Sequence, residues 1–303
     1  MTNVCNDLWI IPALLLSGLA LGSYGAATVW RLRARQLVED KATGEKVDAT
    51  EYKRLLPLTK VTLKTDRSRC LSCKHPLAWF DLIPLVSWVG LGGKCRYCHG
   101  AIGWFEPLME LGVASMFVIS FVLWPFPFDS TLQVVQLIGW LVAVVLMAIL
   151  FAYDLKWFLL PDRVMFPLIG VGVFVAGTSV LLSEQPVASV ISLAIGIVIL
   201  SGIYLLLWLV SKGQWIGFGD VKLGLALALL LGNWELAFLT LFAANLIGCL
   251  IIIPGMVAGK IQRTTRVPFG PLLIVGCVVA LLLGTPIIAW YGELMTISTL
   301  PIL

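Results

Sequence analysis

Five acidic residues lie at those ends of long apolar stretches that adjoin the basic segments of this sequence, where a carboxylate is costly to keep beside hydrocarbon and is a functional candidate. They are Glu106, Glu110, Asp154, Asp162 and Asp220. Two carboxyl groups held side by side share one proton, because both cannot ionise together. One of them then acts as a base on a water molecule, while the protonated one donates to a carbonyl oxygen. Such a pair hydrolyses a peptide bond without a metal or a covalent nucleophile.

The surroundings of Asp220 and Asp154 favour these two as the pair, although each also has a simpler role. Asp220 ends the run Gly217-Phe218-Gly219-Asp220, whose glycines permit close backbone approach at the mouth of a helix. Alternatively, Asp220 only caps the first turn of that helix, and Asp154 only pairs with Lys156 at the membrane interface.

The remaining acidic residues have open roles as well. Glu106 and Glu110 are four residues apart, so both line one helix face, where they either serve the chemistry or only mark the interface. Asp162 either assists catalysis or caps the helix that it begins.

Four cysteines carry a second kind of chemistry. Cys70 and Cys73 form one C-x2-C pair, and Cys95 and Cys98 form another. Two such pairs are typical of a zinc site, in which two tight turns close a tetrahedral shell of four thiolates. A shell of four thiolates leaves no open position, so the predicted zinc is structural. The alternatives are disulfides, which are rare in a cytosolic loop, or four unrelated thiols.

Other chemistries find little support in the sequence. The two histidines, His75 and His99, both lie beside the cysteine pairs. The sequence contains no H-E-x-x-H motif and no phosphate-binding glycine loop. These absences argue against a membrane metalloprotease and a nucleotide-dependent enzyme.

Composition requires that these residues be positioned by membrane helices. Of the 303 residues, 59% are apolar and 13% are charged, against about 25% charged in a soluble domain. Because a bilayer core takes roughly 20 apolar residues to span as a helix, we predict an all-α polytopic membrane protein with about eight transmembrane helices. The apolar stretches are residues 8–30, 111–128, 130–153, 164–183, 185–211, 223–234, 236–259 and 267–292. The sixth reaches spanning length only with Gly219, Asp220 and Lys222 at its entrance.

The charge distribution predicts the orientation. Residues 1–7 contain no Lys or Arg, and basic residues follow the first stretch, which indicates a retained helix with its N-terminus outside. All 21 Lys and Arg residues then fall in the four connections predicted to be cytosolic. These connections are residues 31–105, 154–163, 212–222 and 260–266. Because topology and anionic lipid account for the basic residues, we expect no nucleic-acid partner. For residues 223–234, a re-entrant segment is the alternative to a crossing.

The same pattern predicts four regions. Residues 8–30 form the first transmembrane helix, and residues 31–105 form a small cytosolic loop domain with the zinc site. A seven-helix membrane core follows over residues 106–292. Residues 293–303 form a short outer tail.

Several sequence blocks, in this order, resemble the type IV prepilin peptidases, the aspartic peptidases of type IV pili and type II secretion. Two of them surround the aspartates: Asp154 precedes Leu160-Pro161-Asp162, and Asp220 lies within GFGDVKL. The other blocks are Gly22-Ser23, the paired cysteines, Gly93 to Arg96, Pro107 to Leu111 and Pro268 to Pro271. The chain departs from the family pattern at Tyr24-Gly25-Ala26, at Leu82 and at Phe105-Glu106, all in its amino-terminal half.

The resemblance implies a function. Asp154 and Asp220 would be the catalytic pair, supported by residues in the matching blocks: Gly217, Gly219, Lys222, Asp162 and Glu110. The substrates would be type IV prepilins or type II secretion pseudopilins, whose basic leader is cut, typically after glycine, at the cytosolic face of the bacterial inner membrane. S-adenosylmethionine would serve methylation of the new N-terminus, and the pilus or secretion machinery would be a partner.

Two other functions remain compatible with the sequence. A zinc-bearing membrane assembly factor without peptidase activity would not need the aspartates. A transporter or channel is disfavoured because the charged residues lie at the ends of the stretches and not at mid-membrane, where transporters bind their substrates.

Overall fold

The computed structural model describes residues 9–59, 67–259, 262 and 267–298, and their architecture is helical. The α-helices are α1 (Ile10–Ala42), α2 (Ala49–Leu55), α3 (Val86–Gly90), α4 (Phe105–Val122), α5 (Thr131–Trp157), α6 (Asp162–Leu182), α7 (Pro186–Ile197), α8 (Ile203–Ser211), α9 (Phe218–Leu231), α10 (Trp234–Val257) and α11 (Gly270–Ser298). A π-helical segment, Val198–Gly202, joins α7 to α8. Short 3₁₀ turns lie at Leu56–Leu58 and Trp79–Leu82.

Seven helices of the described part are long and apolar enough to cross a membrane: α1, α4, α5, α6, α10, α11 and the continuous segment Pro186–Ser211. This finding confirms the predicted all-helical, multi-pass fold. The sixth predicted stretch corresponds to α9, whose 14 residues extend only about 21 Å at 1.5 Å per residue. Gly217 precedes α9 and Gly232 ends it with a positive φ of 64°, so this helix is shorter than its neighbours. Whether the chain crosses the membrane there stays a prediction.

The chain divides into two compact units, Met1–Ile119 and Ser120–Leu303, and the division falls within α4. In the first unit, α1 and α4 pack backbone to backbone. A Cβ on Gly18 would lie 2.6 Å from the Ala114 Cα, and one on Gly22 would lie 2.7 Å from the Glu110 Cα. Glycines four residues apart are a common solution for close helix packing in membranes. A small core at the C-terminal end of α1 is formed by Ala34, Leu37 and Leu55.

The second unit is built around α9, whose residues from Leu223 to Leu231 are mostly buried. A short helix that is apolar on all sides is stable only inside a bundle, and α9 contacts α6, α7, α8, α10 and α11. Small residues permit these contacts: a Cβ on Gly172 of α6 would lie 2.9 Å from the Leu229 Cβ.

Gly224 of α9 makes the tightest of these contacts, and we expect a stability effect from it. A Cβ on Gly224 would collide with the carbonyl oxygen of Leu200 in the π segment. Gly224→Ala should therefore destabilise the protein by about 1–3 kcal/mol, as overpacking does. Thermal unfolding in detergent measures this. Gly177→Ala in α6, where the added methyl has nothing within 4 Å, is the matched control and should leave stability unchanged or raised. Equal unfolding temperatures for both variants would contradict the packing described.

Candidate active site and metal centre

Asp154 lies in the last turn of α5, where its side chain is 5% exposed. Its Oδ2 accepts a hydrogen bond from the backbone N–H of Gly270, 3.0 Å away. Gly270 is the first residue of α11, and a helix N-terminus favours a carboxylate through its free N–H groups and its dipole. The carboxylate is therefore held by an element more than a hundred residues further along the chain. The ammonium group of Lys156, the sequence-based alternative partner, lies 5.6 Å from the ring centroid of Trp157.

Asp220 lies in the first turn of α9 and is close enough to Asp154 for the two carboxylates to repel each other electrostatically. Its Oδ2 lies beside Gly217 at the start of the helix, 3.6 Å from where a Cβ on that glycine would be. Asp220 thus lies in the first turn of α9, within electrostatic range of a second carboxylate. The end of α5 and the starts of α9 and α11 meet at this point.

Leu160 fills the space between these three helix ends. A Cβ on Gly219 would lie 3.1 Å from the Leu160 Cβ, and one on Gly270 would lie 3.4 Å from the Leu160 Cδ2. Gly219 thus permits the close approach that the sequence suggested. Gly217 has an extended backbone, with φ −74° and ψ 147°, that any residue can adopt.

The other acidic candidates have partners of their own. Asp162, the first residue of α6, is an ion-pair partner of Lys222, with the Nζ–Oδ1 distance 2.6 Å. The Asp162 side chain is 54% exposed, and the Lys222 ammonium lies over the rings of Phe166 and Phe218. Glu110 and Glu106 belong to the first unit. The Glu110 Oε2 accepts a hydrogen bond from the Leu85 N–H at 2.8 Å, and the Glu106 Oε1 accepts one from the Trp30 indole at 3.0 Å.

Gly270 is a site residue that the sequence alone did not reveal, although it lies in the block Pro268 to Pro271. A Cβ at this position would lie 2.7 Å from the Asp154 Oδ2. We expect Gly270→Ala to displace the carboxylate and to lower kcat for peptide cleavage by at least about 10-fold, since a small misplacement of a catalytic group is costly.

The control for this prediction lies on the same helix. Gly292→Ala adds a methyl group with nothing within 4 Å and should leave cleavage unchanged. Wild-type kcat for Gly270→Ala would show that the contact between Gly270 and Asp154 is not needed.

The four cysteines form a separate cluster in the first unit, with their Sγ atoms all within 4.8 Å of one another. The Sγ atoms of Cys70 and Cys98 are 3.9 Å apart. A tetrahedral zinc with Zn–S bonds of 2.3 Å requires sulfurs about 3.8 Å apart, so the arrangement fits such an ion. The cluster can hold a metal ion, as the spacing predicted.

The two cysteine turns have the same backbone structure. In each, the amide of the first cysteine donates to a carbonyl five residues later, from Cys70 to His75 and from Cys95 to Gly100. The residue after each second cysteine has a positive φ, 63° at Lys74 and 56° at His99. Each turn thereby points its two sulfurs to one side.

Side chains around the sulfurs join the two turns. The rings of His75 and Tyr97 stack with centroids 3.7 Å apart. Asp81 accepts hydrogen bonds from Arg96 and from the Tyr97 hydroxyl. Burial opposes ionisation of Asp81, but these hydrogen bonds and one from the Ala78 amide lower its pKa overall. Asp81 is thus a charged anchor beside the cluster.

The sulfur of Cys70 is the one that ionises most readily. Burial opposes its ionisation, but the amides of Cys73 and Ser72 and the neighbouring thiols donate hydrogen bonds to it and lower its pKa to about 7. A thiol that loses its proton near neutral pH is a ready first ligand for a metal ion.

A cavity of about 200 Å³ lies in the first unit beside the cysteine cluster. Trp30, Arg69, Cys70, Glu106 and Glu110 are among the residues that line it. Two buried polar atoms in its wall, the Glu106 Oε2 and the Arg69 Nε, have no hydrogen-bond partner among the described residues. The cavity therefore offers one free acceptor and one free donor to a bound molecule.

A multi-pass helical membrane protein with two facing aspartates and a four-cysteine cluster belongs to the class of intramembrane-type aspartic peptidases. Comparison with known proteins gives the family. Residues 16–124 match the bacterial peptidase A24 N-terminal domain, and residues 141–253 match the type IV leader peptidase family. The chain belongs to the type IV leader peptidase family.

Curated relatives agree with this membership. The chain is 30% identical over 289 residues to a prepilin leader peptidase/N-methyltransferase from Pseudomonas aeruginosa, with 94% of each protein covered. It is 29% identical over 296 residues to one from Stutzerimonas stutzeri, with 94% of this chain and 95% of the relative covered. It is 33% identical over 234 residues to one from Aeromonas salmonicida, with 77% of this chain and 76% of the relative covered. No solved structure matches the chain.

Proposed function

We propose that this protein is an aspartic endopeptidase that removes the basic leader from type IV prepilins or type II secretion pseudopilins and then methylates the new N-terminus. The observation that carries the peptidase assignment is that Asp220 lies within electrostatic range of Asp154, a buried carboxylate on a separate helix. The names of the relatives support the substrate class and the second activity.

The carboxyl pair accounts for hydrolysis of a peptide bond with one shared proton. The ionised carboxylate takes a proton from water as the water oxygen bonds to the carbonyl carbon. The protonated carboxyl gives its proton to the carbonyl oxygen. Addition of water and this protonation together give a tetrahedral diol. As the diol collapses, the C–N bond breaks, the leaving nitrogen takes the proton that came from water, and a diol hydroxyl returns a proton to the other carboxylate. The pair is then restored.

The location of the site supports cleavage at the cytosolic face of the inner membrane. Asp154, Asp220 and Gly270 all lie at helix ends, beside connections that hold the basic residues of the sequence. Since basic connections remain in the cytosol, a substrate whose apolar helix lies in the bilayer would present the end of its basic leader here.

Asp162 has a structural role in this proposal. Its ion pair with Lys222 joins the start of α6 to the first turn of α9, beside Asp220 but outside the carboxyl pair. Because the ion pair is partly exposed, its own contribution to stability is small.

The four-cysteine cluster would hold zinc with Cys70, Cys73, Cys95 and Cys98. Four thiolates close the coordination shell, so the ion would fix the loop fold and leave no position for a substrate. No step of peptide hydrolysis involves it.

The cavity in the first unit would hold S-adenosylmethionine, which supplies an electrophilic methyl group when bound. The free Arg69 Nε is suited to its carboxylate, and the carboxylates of Glu106 and Glu110 are suited to its ammonium and sulfonium groups. A carboxylate in this cavity can also accept the proton that the substrate amine loses on methylation.

The test of both activities uses purified wild-type protein in detergent. A peptide with a basic leader, a glycine and an apolar segment should be cut after the glycine without any ion gradient. With methyl-labelled S-adenosylmethionine, the new N-terminus should gain the label. An uncut peptide would overturn the peptidase assignment, and a cut but unlabelled product would overturn the methylation assignment.

A further inference from the structure

Tyr204 places a buried hydroxyl beside the carboxyl pair. This side chain of α8 is 3% exposed, and its hydroxyl is within electrostatic range of Asp220. Its ring packs edge-on against Phe269, with centroids 5.4 Å apart. Phe269 precedes Gly270, whose amide holds Asp154. Tyr204 therefore contacts the same short segment that positions one aspartate, while its hydroxyl lies within electrostatic range of the other.

The packing of the π segment against α9 fixes this position. Gly224 allows α9 to approach the Leu200 carbonyl closely, and the Ser201 hydroxyl donates to the Val221 carbonyl at 3.0 Å. In α9, the contact residues Gly224 and Val221 lie within four residues of Asp220. In the π segment, Leu200 and Ser201 lie within four residues of Tyr204. Such π-helical turns often occur at functional sites.

The Tyr204 hydroxyl has no hydrogen-bond partner among the described residues. The Asn245 side chain acts on the hydroxyl oxygen as a donor but does not complete a hydrogen bond within 3.5 Å. The Asn245 Nδ2 instead donates to the Leu241 carbonyl at 2.7 Å. The O–H of Tyr204 is thus free to donate, and a buried donor without a partner costs about 1–3 kcal/mol.

The reaction of the carboxyl pair needs a donor of this kind. The attacking water requires an acceptor, which an aspartate supplies, whereas the carbonyl oxygen gains negative charge and requires donors. The Gly270 amide is already bound to Asp154. A neutral phenol donates a hydrogen bond without competing for the proton that the two aspartates share.

We infer that Tyr204 is a third catalytic group of this site, whose hydroxyl donates a hydrogen bond to the oxygen of the scissile carbonyl as the tetrahedral diol forms. This inference rests on the proposed roles of Asp154 and Asp220. In this role the hydroxyl makes its hydrogen bond in the transition state and not in the resting protein. Removal of the hydroxyl should therefore change kcat more than KM.

The test is Tyr204→Phe, which removes the hydroxyl and keeps the ring that packs on Phe269. We expect kcat for leader cleavage to fall by about 10²-fold, the effect of losing one such donor, with KM within a factor of two. Methyl transfer to a peptide that already lacks its leader, and the unfolding temperature, should match wild type. Tyr291→Phe, at an exposed tyrosine of α11, is the control and should cleave normally.

Each outcome decides the inference. Cleavage by Tyr204→Phe within threefold of wild type would overturn it. A parallel loss of cleavage, methyl transfer and thermal stability would assign Tyr204 to the fold and also overturn it. A shifted pH profile with an unchanged maximal kcat would show that the hydroxyl acts on Asp220 and not on the substrate. Active Asp154→Asn and Asp220→Asn variants would instead refute the proposed pair itself.

Discussion

Asp154→Asn and Asp220→Asn should each abolish leader cleavage, with kcat lowered by about 10³-fold or more. An amide has the size of the carboxyl group but neither takes a proton from water nor returns one to the leaving nitrogen. Because the two groups share one proton and one task, the double variant should be no worse than either single one. Cleavage of a prepilin-like peptide by purified protein gives these rates.

Two comparisons make this prediction specific. Asp162→Asn removes an acidic residue from residues 154–163, the connection that also contains Asp154. Because the partner of Asp162 is Lys222, this variant should keep cleavage within a few-fold of wild type. Methyl transfer to a peptide without its leader should persist in all three variants, since the cavity proposed for it belongs to the first unit. Cleavage retained by either member of the pair would refute the assignment.

Cys95→Ser should release the metal from the first unit and abolish methyl transfer. Cys95 is the most buried of the four cysteines, 3% exposed, and a serine hydroxyl in its place is a poor zinc ligand. Structural zinc contributes on the order of 10 kcal/mol to the folding of small zinc domains, which is more than a small loop domain can lose. Zinc per chain, measured by elemental analysis of purified protein, and label transfer from S-adenosylmethionine report the two effects.

Cys249→Ser is the matched control for this second prediction. Cys249 is exposed on α10 and lies outside the sulfur cluster, so its replacement should leave zinc and methyl transfer unchanged. Peptide cleavage should survive Cys95→Ser, since the carboxyl pair belongs to the second unit. A full zinc complement in Cys95→Ser would contradict the four-thiolate site.

Much of the fold was predictable because membrane helices are encoded locally, as apolar runs of sufficient length. The exception is α9, whose ends are fixed by Gly217 and Gly232 and whose short length is tolerated because neighbouring helices bury it. An apolar run alone does not show that it will be covered by protein and not by lipid. The π segment was not predictable either, since it follows from the close approach of Gly224 to Leu200.

The candidate site divides in the same way. Asp154, Asp220 and the cysteines stand out because a carboxylate or a C-x2-C pair is rare beside apolar sequence. Gly270 and Tyr204 do not, because a glycine or a tyrosine is ordinary in a membrane helix. Their roles arise only when α8 and α11 are brought to the ends of α5 and α9. The positive φ of Lys74 was equally hidden, because lysine seldom signals a left-handed backbone.

The most direct test that the two carboxyl groups act together is the binding of an uncleavable inhibitor. This inhibitor is a prepilin-sequence peptide in which a hydroxyethylene group replaces the scissile amide and mimics the tetrahedral state. Its affinity for purified protein should fall by about 10²-fold or more in Asp154→Asn and Asp220→Asn alike, and no further in the double variant. Wild-type affinity in either single variant would show that the two aspartates do not act on one group of the substrate.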